Sequence, residues 1–151
     1  MGKVLFAVCA FLALCIAGLA LVAYLGRAPE TQAVDNLLAE DLTRRIQTAE
    51  AQAGGQVDLA AATTFPWDRV LLVAPGTPAQ RISDTLGYTF EGVMNYDAES
   101  NGLFVFERGQ RVVRFADYRG RGRFEGFRRP IASLPFDRAL LRVRGLVIRP
   151  G

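Results

Sequence analysis

Histidine is missing from this 151-residue chain altogether. Its absence removes the serine–histidine and cysteine–histidine nucleophile systems and nearly every zinc site. Cysteine is almost missing: Cys9 and Cys15 are the only two, and both lie inside one apolar run. Six residues apart on a helix, their Cα atoms stand about 9 Å apart along the axis alone, too far for a disulfide. Beyond that run there is no thiol to serve as nucleophile and no disulfide staple, so a packed core must supply the stability. Lysine occurs once, at Lys3, which leaves arginine as the working base. A phosphate-binding loop is absent too. Gly120, Gly122 and Gly126 miss the dinucleotide-binding spacing because Glu125 occupies the third required place. Catalysis is not expected, and no cofactor or metal is called for.

Residues 4–25, VLFAVCAFLALCIAGLALVAYL, form an uncharged, proline-free stretch of 22 residues. As a helix it spans about 33 Å, the thickness of a bilayer's hydrocarbon core. Signal cleavage would need small residues at the −3 and −1 positions; Gly18-Leu19-Ala20 offers them inside the apolar run, and Gly26-Arg27-Ala28 offers them with an arginine in the site and Pro29 after the cut. Lipidation would need a small residue before the cysteine, where Val8 and Leu14 stand. An uncleaved anchor is the expectation, with membrane lipid as the partner of residues 4–25. Lys3 and the amino terminus outweigh Arg27 and favour the N-terminus inside. In a bacterium this gives a single-pass inner-membrane protein with its domain in the periplasm or outside the cell.

The 124 residues from Ala28 onward suffice for one domain with a real core. Across 32–50, Val34, Leu37, Leu38, Leu42, Ile46 and Ala49 follow the 3.6-residue period of an amphipathic helix, and Gly54-Gly55 ends it. Residues 57–151 form the domain proper. Val70 to Val73 is a short apolar run bounded by Pro75-Gly76, as in a buried strand. Thr77-Pro78-Ala79-Gln80 reads as a helix start in which Thr77 caps and Gln80 reaches back. Ile82 and Leu86 face one side, and Gly87 closes the helix. Tyr88 to Met94 is a candidate strand. Leu103 to Glu107 and Arg111 to Tyr118 form a hairpin, and Ala139 to Ile148 a last strand with a bulge at Gly145. This order predicts an α+β fold: a mostly antiparallel sheet of four to five strands with two helices on one face. Asp97, Glu99 and Asn101 alternate in a loop, but the following strand breaks an EF-hand pattern, and a turn is expected there.

Charge is unevenly divided. Between Ala28 and Glu107 there are 12 acids and 4 arginines; from Arg108 to Gly151 there are 12 arginines against Asp117, Glu125 and Asp137. Arg119, Arg121, Arg123, Arg128 and Arg129 are interleaved with aromatics and glycines, a candidate contact for an anion or a partner. The bland reading of the same residues, a solvated loop, comes first. Trp67-Asp68-Arg69 is a second candidate, either a partner contact or a core anchor with two polar neighbours.

The residues Phe65-x-Trp67-Asp68-x-Val70, Pro75-Gly76-Thr77, Ile82, Leu86-Gly87, Leu103-Phe104-Val105-Phe106 and Val112-Val113 resemble a group of small N-terminally anchored bacterial envelope proteins. These carry an F-x-W-D-x-V strand and a P-x-T…I-x-x-x-L-G helix; the resemblance implies an envelope location and no particular activity. Gly76, Thr77, Ile82, Leu86 and Gly87 are also similar to the helix motif of the BamE-like lipoproteins of outer-membrane assembly. The functional expectation is a membrane-tethered extracytoplasmic domain without catalytic activity that binds an envelope protein. An arginine-rich surface for anionic lipid or nucleic acid is the alternative, with nucleic acid the weaker of the two. A hydrolase, which would need carboxylates of raised pKa in a pocket, is the third reading.

Overall fold

The computed structural model describes residues 34–52, 55–92, 102–126 and 129–151. The expected anchor at 4–25, its two cysteines, the acidic loop at Asp97–Asn101 and Arg128 lie outside them. Among the described residues no helix is long and apolar enough to cross a membrane.

Helix α1 runs Asn36–Ala51. Asp35 caps it by accepting a hydrogen bond from the Leu38 amide at 3.0 Å, the usual way a carboxylate satisfies a free first-turn N–H. Leu38, Ala39, Leu42, Ile46 and Ala49 form its buried face. Leu37, expected on that stripe, is 81% exposed, and Ala39 takes its place inward. Strand β1 (Gln56–Asp58) and the single helical turn α2 (Leu59–Ala62) follow, with Asp58 capping the turn. Next come β2 (Arg69–Val73) and α3 (Ala79–Leu86). The hairpin β3 (Leu103–Arg108) and β4 (Arg111–Asp117) forms as the sequence indicates. Then follow β5 (Arg123–Phe124), β6 (Ile131–Pro135), a 3-10 turn at Phe136–Arg138, β7 (Leu140–Arg144) and β8 (Val147–Pro150).

The class is α+β, but the described strands make two four-stranded sheets, not one. The central sheet has the order β4-β3-β2-β6 and is antiparallel throughout; the outer sheet has the order β1-β7-β8-β5, with only β5–β8 parallel. The helices do not share one face. Val70, Leu72, Phe104, Phe106, Ala116 and Tyr118 of the central sheet and its continuation pack with α1 and with the inward residues of the outer sheet, Val57, Leu141, Val143, Ile148 and Phe124. Leu71, Val73, Leu103, Val105 and Phe115 pack instead with Ile82 and Leu86 of α3 and with Phe90. Opposite faces of one sheet are thus covered by different layers, which is why β2 and β3 are apolar without alternation.

Three local expectations are corrected. Thr77 does not cap α3: its hydroxyl donates to the Ala74 carbonyl at 2.6 Å and closes a turn, while Gln80 reaches forward to Asp84. Pro78 occupies the cap position without a side-chain bond. Tyr88 to Gly92, the described part of the candidate strand at 88–94, is not a strand. Ala139 to Ile148 is a hairpin, not a bulged strand: Arg144 pairs with Val147, and Gly145 takes φ +54° between them. That positive φ is what the first turn position of a two-residue hairpin requires. Gly87, by contrast, ends α3 as expected, its amide donating to the Ser83 carbonyl at 2.8 Å.

The bulge lies elsewhere. Phe106 pairs with Arg114 and Glu107 with Val112, leaving Val113 as the extra residue of β4. Val113 and Arg114 therefore lean to the same side: Val113 packs on the α1 core, and the Arg114 guanidinium sits 4.7 Å from the centre of the Phe65 ring. This explains why the faces of that strand are only half sorted in the sequence.

Candidate functional site

Trp67 is a core anchor: it is 4% exposed, meets Phe106 and Phe136 edge to face, and donates its indole N–H to the Thr63 hydroxyl at 2.7 Å. Asp68 accepts from the Gly109 amide at 2.6 Å and so holds the β3–β4 turn against the start of β2. Arg69 pairs with Glu107, its cross-strand neighbour. Glu107 is one of two buried polar residues among the described residues, at 3% exposure, and sequence reasoning passed over it. Its signal was a carboxylate closing the apolar run Leu103–Phe106. The neighbouring Tyr88 hydroxyl has its pKa pushed up to about 12, first by burial and then by the negative charge of Glu107, with Arg69 pulling the other way. The Trp67-Asp68-Arg69 group therefore holds the end of the central sheet together.

The arginine-rich segment is mostly spoken for as well. Arg119 joins β4 to α1: its backbone N–H donates to Thr43 at 3.1 Å, and its guanidinium reaches Asn36 and, at 2.9 Å, Asp117. The Asp117 hydrogen bond raises the Arg119 pKa. Arg121 accepts the Tyr118 hydroxyl on its backbone carbonyl at 2.6 Å, leaving its own side chain exposed. Arg123 pairs with Glu125. Arg128 lies outside the described residues. The four described arginines do not converge on one site.

Arg129 does line a depression, together with Pro130, Ile131 and Ser133 of the β6 strip and Arg81, Asp84 and Thr85 of α3; its volume is about 510 Å³. Strand β6 is an edge of the central sheet. The bonds Ala74 N–H to Pro130 C=O (2.8 Å) and Phe136 N–H to Asp68 C=O (2.8 Å), with the β2–β6 register, show which backbone groups face inward. Residues 132 and 134 bond to β2, and Ile131, Ser133 and Pro135 turn their backbone groups outward. Among the described residues nothing hydrogen-bonds to that outward edge. Pro135 loses nothing there, because its position asks for no outward donor. The opposite edge of the sheet is engaged, the Phe115 carbonyl of β4 accepting from the Asp35 amide at 3.0 Å. The result is an open strand edge beside a helix, with two arginines at its rim.

The described residues hold no group of histidine, cysteine, aspartate or glutamate that could bind a metal ion. Compared with protein-family models, with curated proteins and with solved structures, the chain gives no match.

Proposed function

We propose that this protein is a membrane-tethered, non-catalytic interaction domain that receives an extended segment of an envelope protein along β6. The observation that carries this reading is the open edge formed by Ile131, Ser133 and Pro135 beside α3. An incoming strand gains main-chain hydrogen bonds from such an edge, and the groove between strand and helix selects its side chains. Arg81 and Arg129 at the rim favour a segment carrying carboxylates over a basic one, Asp84 offsetting part of their charge. Residues 4–25 would hold the domain at the inner membrane, N-terminus inside and domain outside, in keeping with the resemblance to anchored envelope proteins.

Two experiments test the reading. A photoreactive residue at Ile131, introduced in cells, should give a discrete protein adduct that Ser133→Pro abolishes without moving the urea midpoint. An adduct indifferent to Ser133→Pro, or none, rejects it. Reporter fusions at Gly151 that are active only in the cytoplasm would overturn the orientation.

A further inference from the structure

The face of the outer sheet turned away from the core has nothing described packed on it. Strand alternation sends Leu141, Val143 and Ile148 inward and Arg142, Arg144 and Arg149 outward. Arg142 stands directly opposite Arg149 in the β7–β8 ladder. Arg123 of β5 lies on the same side, across from Val147. Like charges placed opposite each other weaken a sheet, so folding alone does not favour this arrangement. Acidic relief is incomplete. Glu125 pairs with Arg123 and lies 3.9 Å from Arg149, and Asp58 is committed to capping α2. Arg142 and Arg144 have no acidic partner among the described residues. Together with Val147, Arg149 and Pro150 they line a depression of about 390 Å³.

We propose that this face docks onto an anionic phospholipid surface, with Arg142, Arg144 and Arg149 on the headgroup phosphates. Three features select a bilayer from among polyanions. The tip of the β7–β8 hairpin presents Leu146, 56% exposed, immediately after Arg144 and Gly145. An apolar residue ringed by arginines suits the headgroup boundary, where it can enter the acyl region while the cations stay at the phosphates. The strands of this face offer no outward aromatic ring on which a nucleic-acid base could stack. Lastly, ten residues separate Leu25 from Asn36, a reach of at most about 35 Å. Such a tether would raise the effective concentration of headgroups around the domain, so that even weak contacts count. The inference uses the anchor but not the β6 edge, so the two readings fail separately.

The test uses the full chain with Cys9 and Cys15 replaced by alanine and a fluorophore on Leu146→Cys, reconstituted in vesicles carrying a headgroup-linked quencher. In phosphatidylcholine with about a third phosphatidylglycerol the probe should be quenched, and the quenching should fall on raising the salt. Each arginine at an anionic leaflet contributes about fivefold, so Arg142→Ser with Arg144→Ser should lower the docked-to-free ratio about 30-fold. A second label site, Gln56→Cys, directly opposite Arg142 on the same exposed face, keeps the result readable if the tip label disturbs insertion. Equal quenching in pure phosphatidylcholine, or quenching unaffected by the double substitution at both label sites, overturns the proposal. So does release from anionic vesicles by millimolar inorganic phosphate, which would assign the face to a free anion. Binding of an oligonucleotide by protein that ignores anionic lipid overturns it equally.

Discussion

Strands β2 and β7 are both five residues long, yet their sequences obey different rules. In β2, Val70, Leu71, Leu72 and Val73 are all fully buried, because α3 covers one face of the central sheet and α1 with the outer sheet covers the other. In β7, Leu141 and Val143 are buried and Arg142 and Arg144 are exposed. The number of layers over a sheet, more than strand propensity, decides whether its sequence alternates. Where both faces are covered, polar residues are confined to strand ends, as Arg69 and Glu107 are. Where one face is open, the chain can put chemistry there at little structural cost, and here it puts arginines.

The sharpest way to break this comparison is truncation on both faces of β2. Leu71→Ala and Leu72→Ala should each destabilise by about 2–5 kcal/mol in urea unfolding, since each leaves a cavity in a different core. A silent Leu71→Ala would mean that α3 does not truly cover its face. Next comes the joint between the sheets. Gly102 precedes β3 with φ +126°, and a Cβ there would lie 2.1 Å from the Phe124 ring of the outer sheet. Gly102→Ala should cost about 1–3 kcal/mol from overpacking alone, with strain from the positive φ added, and both sheets should lose hydrogen-exchange protection together. If only one sheet loosens, the sheets are less coupled than the packing implies.

Tyrosine ionisation probes the shared core more gently. Burial, and then the charge of Glu50, pushes the Tyr118 pKa up to about 12, against an ordinary value of 10.0. Below pH 10 the phenol is protonated in folded and unfolded chains alike. Between pH 10 and 12 the unfolded chain releases its proton first, so stability falls as pH rises through that window. Tyr118→Phe should flatten that fall, as read from urea midpoints across the window; an unchanged slope would count against a buried phenol. At the small end, Arg142→Ala and Arg144→Ala should shift stability by no more than about 0.5 kcal/mol. Relief of the Arg142–Arg149 opposition predicts that the shift for Arg142→Ala is stabilising.

The central sheet was the legible part of the sequence. An unbroken apolar run marks β2, and Arg108-Gly109-Gln110 between two apolar stretches marks the β3–β4 hairpin. Gly87 marks the end of α3. The second sheet was hidden because its strands are short and its partners remote: β1 is three residues long and pairs with β7, near the other end of the chain. Gly145 reads alike as a bulge or as a turn when only the flanking residues are seen. Strand β6 was missed outright, since Ile131–Pro135 is bracketed by two prolines and lacks a periodic pattern. The binding edge proposed for it is a backbone property that side-chain chemistry does not announce. Proximity along the chain groups the arginines of Arg119–Arg129, whereas alternation across β7 and β8 gathers Arg142, Arg144 and Arg149 on one face.

The pairing of Gln56 with Arg142 also sets an order on folding. A contact between such distant residues closes a long loop, and its entropic cost falls due before the strand hydrogen bonds return anything. The β2–β3–β4 meander can form from local chain alone, but β1 must wait until β7 exists. Val57 and the part of the core it shares with Leu141 and Val143 therefore stay open until β7 and β8 are in place, so this core is completed last.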